Sequence, residues 1–155
     1  MRVLKIPAVC ILFFAFLSCA PKGPLTPELA FAMLKDAYMD SDADAFLGLI
    51  SSESRNRIDQ ITAMMREMDA EQAKAFSEKF NITPDRIKRI TAKDYIALQL
   101  NIDRQPGNDM LGIILTSQIV RKKGGQKQCA LQVANGMQLS FVKEGAYWKL
   151  DMNDL

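Results

Sequence analysis

The sequence predicts an α+β fold, with helices first and an antiparallel sheet of about four strands after them. Three observations predict it. Apolar residues recur at helical spacing from residue 26 to about 102 and then alternate from 110 to 152. Helix-start residues precede the helical stretches. Turn sequences divide the alternating part at Lys123-Gly124-Gly125, Asn135-Gly136 and Glu144-Gly145.

The chain opens with two cations, Arg2 and Lys5, and an apolar run from Ile6 to Leu17 broken only by Pro7. A spanning helix needs about 20 apolar residues to cross about 30 Å of hydrocarbon, and this run is shorter. A cationic start, a short apolar stretch and small residues at its end read as a secretory signal. Phe16-Leu17-Ser18-Cys19 resembles the lipobox of bacterial lipoproteins, with Phe16 where an aliphatic residue is usual. The resemblance implies cleavage before Cys19 and a diacylglycerol on its thiol. Two or more acyl chains hold a protein on a bilayer stably. The implied organisation is a signal over 1–18, a lipidated cysteine with its linker over 19–26, and a single α+β domain over 27–155. Ala20, rather than Asp, after the cysteine resembles lipoproteins forwarded to an outer membrane. The expected location is therefore the bacterial cell envelope, at the outer membrane facing the periplasm. The prolines of Pro21 to Pro27 make the linker semi-rigid.

The first helix starts at Thr26-Pro27-Glu28: a capping hydroxyl, a proline in the first turn and an acid at the positive end of the dipole. Leu29, Met33, Leu34, Ala37 and Tyr38 are its expected apolar side. "DSDAD" (Asp40 to Asp44) breaks it and caps a second helix carrying Phe46, Leu49 and Ile50. A third begins around Ser52 to Ser54, with Ile58, Ile61, Met65 and Met68 facing inwards. Asp69 with Gln72 forms a capping box for a fourth, which carries Ala73, Phe76 and Phe80. Thr83-Pro84-Asp85 repeats the first start signal, and Thr91 with Asp94 caps "AKDYIALQL". That last stretch fits a helix, but Ile96, Leu98, Leu100 and Ile102 also alternate as a strand would. After the turn cluster Pro106-Gly107-Asn108-Asp109 come the runs "MLGIILTSQIVRK", "QKQCALQVA", "MQLSFVK" and "YWKLDM". Leu131, Val133, Leu139, Phe141, Trp148 and Leu150 supply an apolar sheet face, which helices must cover.

Composition removes several function classes. Arg2 and Lys5 are the signal's only charged residues, so the formal +2 of the whole chain belongs to the signal and the remainder is neutral. A neutral domain argues against an electrostatic nucleic-acid binder, and Arg86 to Lys93 read as the solvated face of a short helix. The chain contains no His, which removes Ser-His-Asp and Cys-His catalysis and imidazole metal sites together. Of three cysteines, Cys10 lies in the signal and Cys19 takes the lipid, so Cys129 stands alone, in phase with Leu131 and Val133 as a small core hydrophobe.

Two motifs invite metal chemistry. Asp40, Asp42 and Asp44 sit at calcium-loop positions 1, 3 and 5, but the later glycine and glutamate positions hold Ala45 and Ser51, so a capping role is favoured. Met65 and Met68 have a spacing that thioethers can use for Cu(I), with Met64 beside them. No third soft ligand or His is near, so core filling or the lining of a partner groove is favoured. No metal, no cofactor and no catalytic residue is assigned.

"AYMDSDADAFLGLISSESR" and the closing "LSFVKEGAYWKLDM" together resemble the nuclear-transport-factor-2-like superfamily. The second stretch is similar to the last strand of its small lipoproteins. The resemblance implies a curved sheet wrapped around helices as a cone with a pocket, and it allows a homodimer. Superfamily members include enzymes, ligand carriers and protein-binding modules, so fold does not decide function. The expectation is a lipid-anchored, non-enzymatic protein that binds an envelope protein partner or a small apolar ligand, with Phe141, Tyr147 and Trp148 as the contact surface. The alternative is a His-independent dehydratase or isomerase acting in the cone.

Overall fold

The computed structural model describes residues 23–103 and 110–152. The expected signal segment, Cys19 and the expected turn at 106–109 lie outside the described residues. Among the described residues, seven helices precede a four-stranded sheet: α1 (Pro27–Asp40), α2 (Ala43–Leu49), α3 (Ser52–Arg66), α4 (Ala70–Phe80), α5 (Pro84–Ile87), α6 (Ala92–Asp103), α7 (Met110–Thr116), then β1 (Ile119–Gly124), β2 (Gln128–Val133), β3 (Gln138–Glu144) and β4 (Tyr147–Asp151). The sheet is an antiparallel meander in the order β1-β2-β3-β4. The α+β class, helices first, is as expected.

The caps work as the sequence suggests. The Thr26 hydroxyl accepts from the Leu29 N–H at 3.1 Å, and Asp42 accepts from the Ala45 N–H at 2.9 Å. Asp69 and Gln72 bond each other's backbone N–H reciprocally, at 2.8 and 3.2 Å. α1 stops at Ser41 and α4 at Asn81, both in the left-handed region with φ 55° and 51°. α5 is a single turn without a side-chain cap from Thr83.

The ambiguous 92–102 stretch is the helix α6. Thr91 and Asp94 box its first turn, with the Asp94 carboxylate accepting from the Thr91 N–H at 3.1 Å and its hydroxyl at 2.6 Å. Ile96 and Leu100, one turn apart, are its buried side.

One expectation fails. Residues 110–116 are helix α7, not the front half of the first strand. A continuous apolar run has neither period, so its pattern fits a buried helix as well as a strand. Leu111, Ile114 and Leu115 face inwards at helical spacing while Ile113 is exposed. Leu29 also departs from its expected place: it stands 45% exposed, and Ala30 and Phe31 take the buried side of α1 with Leu34, Ala37 and Tyr38.

The main core lies between the sheet and α1, α2, α6 and α7. Leu34, Phe46, Leu131, Leu139, Phe141 and Leu150 fill it, each at most 1% exposed. A second cluster of Met65, Ala73, Ile82, Ile87 and Ile90 sits under α3, α4 and α5.

The two sheet edges are treated differently. The β4 edge is occupied: the Trp148 N–H donates to the Pro24 carbonyl and the Ser51 N–H to the Leu150 carbonyl, each at 2.8 Å. The β1 edge carries Arg121, Lys122 and Lys123, and cationic side chains on an edge discourage strand addition. Its register to β2 shifts between Ile119 and Arg121. Gly124, with φ 131°, closes this hairpin where a Cβ would lie 2.4 Å from the Gln128 carbonyl oxygen.

Candidate binding groove

The sequence places three methionines close together, Met64 and Met65 in the last turn of α3 and Met68, expected on the same helix, just after its end at Arg66. In the structure they line one wall of an apolar groove of about 310 Å³. Phe76 and Phe80 of α4 form the facing wall, and Tyr95, Gln99 and Ile102 of α6 close the third side. The two phenylalanine rings lie 4.5 Å apart between centroids, tilted by 44°. The Lys79 ammonium stands 5.2 Å from the Phe80 ring centre, so the rim carries a cation on an aromatic.

Helical spacing builds this surface. Phe76 and Phe80 are four residues apart and share one face of α4, while Met68 extends the methionine wall from the connection after α3. Met65 is buried and anchors the wall to the second core, while Met64 stands 62% exposed at the lip. The Arg66 guanidinium donates to the Ile90 carbonyl at 2.8 Å and ties the end of α3 to the segment before α6. Tyr95 packs against both hydrophobic clusters and joins the groove to the main body. Flexible thioethers beside aromatic rings make a wall that can reshape around an apolar guest.

Two other concavities differ in character. One of about 450 Å³ lies between α1, α2 and the Gly23-Pro24 segment, with Asp36, Asp40 and Asp42 on its walls and Lys149 across from them. Burial, then the nearby Arg55, holds the Lys149 ammonium below its ordinary pKa. Lys149 donates to the Gly48 carbonyl. A shallower one of about 280 Å³ lies on the sheet, over Lys123, Ala130, Ser140 and Asp151. Those four residues form one row of paired strand positions.

The residues expected as a contact surface fall in different places. Phe141 and Trp148 are core residues, 1% and 6% exposed, although Phe141 also underlies the sheet concavity. Tyr147 is half-buried with its ring against Gly23. Cys129 is buried and burial pushes its thiol pKa up, which keeps it a thiol. Asp42 caps α2, and Asp44 pairs with Lys93 of α6. Among the described residues no group of three or more His, Cys, Asp or Glu could hold a metal ion, and no helix is long and apolar enough to cross a membrane.

The groove escapes a reading by single elements because its walls come from three helices. The methionine triplet was its one legible signal. No protein-family model matches this chain, and neither a characterised protein nor a solved structure matches it.

Proposed function

We propose that this chain is a lipid-anchored envelope protein, held by a diacylglyceryl group on Cys19 at the outer membrane facing the periplasm. We infer that it works by binding rather than by catalysis, taking the apolar side chains of a protein partner, or a small apolar ligand, into the groove of α3, α4 and α6. The carrying observation is a contrast between two places. The space between sheet and helices is filled by side chains such as Leu34, Phe46 and Phe141, whereas the Met64–Phe80 groove is open. An apolar concavity with few polar groups binds by shape and desolvation. Helices seat their apolar faces in such methionine-lined grooves. Kinship with the nuclear-transport-factor-2-like superfamily, with the interior of the cone filled by side chains, is part of the proposal, and the order of helices before an antiparallel meander supports it.

Two experiments test it. Cys19→Ala should release the protein from the membrane fraction; a variant that stays bound without detergent overturns the anchor. Native mass spectrometry of residues 20–155 separates ligand from partner. A co-purifying small mass lost in Met64→Lys assigns the groove to a ligand. A clean apo mass, with envelope crosslinks from a photoreactive residue at Met64, assigns it to a partner. The absence of both a co-purifying mass and a crosslink overturns the binding role.

A further inference from the structure

We propose that the domain rests on its own membrane with the hairpin end of β1, β2 and β3 against anionic phospholipid headgroups. This rests on the lipid-anchor reading and adds an orientation to it. From Met110 to Lys143 every charged side chain is a cation, namely Arg121, Lys122, Lys123, Lys127 and Lys143, and the stretch holds no Asp or Glu. The chain after residue 18 is neutral overall, so the rest of it carries the compensating negative charge. The register brings Lys123, Lys127 and Lys143 toward the end of the sheet at the β1–β2 hairpin, with Lys122 and Arg121 further down the edge strand. Arg121, Lys122 and Lys123 lie on the edge strand, Lys127 follows in its hairpin, and the Lys143 N–H donates to the Lys127 carbonyl at 2.8 Å. All five are exposed.

The tether leaves from the same end of the sheet: Gly23 lies against Tyr147, which adjoins Trp148, the strand partner of Lys143. Lys122 meets Glu28 at 2.7 Å, which ties β1 to the first turn of α1. Among the described residues no other ion pair involves the five cations. Leu25 and Leu29 flank Glu28 and are 49% and 45% exposed. Cys19 precedes Gly23 by four residues, so the tether to the described domain is short. A cationic patch is drawn to anionic lipid mainly within a Debye length, about 8–10 Å at physiological salt, and a short tether holds the domain close to that surface. Exposed leucines beside it suit the boundary between headgroups and acyl chains. Edge protection explains Arg121 and Lys123 but not Lys127 or Lys143, which lie off the β1 edge.

The test uses the full-length lipoprotein, reconstituted into vesicles of phosphatidylglycerol with phosphatidylcholine or of phosphatidylcholine alone. A fluorophore is attached at the hairpin tip through Gln126→Cys or, for comparison, at the groove lip through Met64→Cys. Headgroup spin-labelled lipid should quench the hairpin label more than the groove label, and only with phosphatidylglycerol present. Joint reversal of Lys123, Lys127 and Lys143 to Glu should abolish that difference while the protein still floats with the vesicles. Flotation with equal quenching at both labels, or quenching that survives charge reversal, overturns the orientation and leaves the anchor standing. A chain that carries no lipid mass on Cys19 overturns both.

Discussion

The Trp148 N–H donates to the Pro24 carbonyl at 2.8 Å, so the segment leading into the first helix lies along the last strand of the sheet. Gly23 makes this approach possible. A Cβ at that position would lie 2.7 Å from the Tyr147 ring, far inside contact distance. The start of the domain is thus fixed to its end, and with it the point from which Cys19 extends.

Gly23→Ala should therefore push the segment off Tyr147 or displace the ring. Overpacking of this kind costs about 1–3 kcal/mol. Urea unfolding should show the lowered midpoint, and proteolysis should cut before Pro27 more readily than in the parent chain. An unchanged midpoint and unchanged cleavage would mean that the segment is not held on β4.

Ser54 joins α3 to the end of β4. Its hydroxyl accepts from the Met152 N–H at 2.8 Å and from the Ser51 hydroxyl at 2.9 Å, and it donates to Asp151 at 3.4 Å. The side chain is 1% exposed, so no water replaces these bonds once it is gone. Ser54→Ala should cost about 1–3 kcal/mol, the usual range when a buried partner is lost. Ser52→Ala, whose hydroxyl meets Glu144 at an exposed position, should cost less than half as much in the same denaturation series.

The Thr91 hydroxyl beside Asp94, its largest influence, holds the Asp94 carboxyl below its ordinary pKa, with Arg86 adding to the effect and partial burial opposing it. An acid with a depressed folded-state pKa contributes stability above its unfolded value and loses it as pH falls through the folded one. The box should thus be intact at neutral pH and fail in the acid range, below the ordinary carboxylate pKa. Asp94→Ala should cost about 1 kcal/mol at pH 7. The gap between the two proteins should close on acidification, which thermal melts across pH would record. A gap independent of pH would contradict the assignment.

The caps were legible in the sequence because they are local: Thr26, Asp42, Asp69 and Thr91 act within three or four residues of themselves. The sheet was legible because Asn135-Gly136 and Glu144-Gly145 bound runs of strict alternation. Residues 110–116 were not, since a run with no polar residue before Thr116 gives no phase and tertiary packing decides its form. The exposed place of Leu29 was hidden for a related reason. Apolar residues surround α1, and only the sheet's position selects which of them it covers. The groove required the relative placement of α3, α4 and α6, which no local pattern encodes.

That placement makes a last prediction. α4 has one fully buried residue, Ala73, while Phe76 and Phe80 are only partly buried, packing against the second core on one side and lining the groove on the other. A helix with so little buried surface opens more easily than the sheet, so its amides should exchange faster than those of β2 and β3. Met65→Ala removes a buried anchor of the wall and should cost about 2–5 kcal/mol. Met64→Lys, at the exposed lip, should stay within about 0.5 kcal/mol of the parent. Hydrogen exchange separates the two effects. Met65→Ala should speed exchange in α4 and α5 first, and Met64→Lys should leave exchange unchanged while weakening the uptake of an apolar fluorescent probe. If Met65→Ala loosens the sheet to the same degree as α4, the two hydrophobic clusters unfold as one unit, and the groove has no freedom of its own to adapt to a guest.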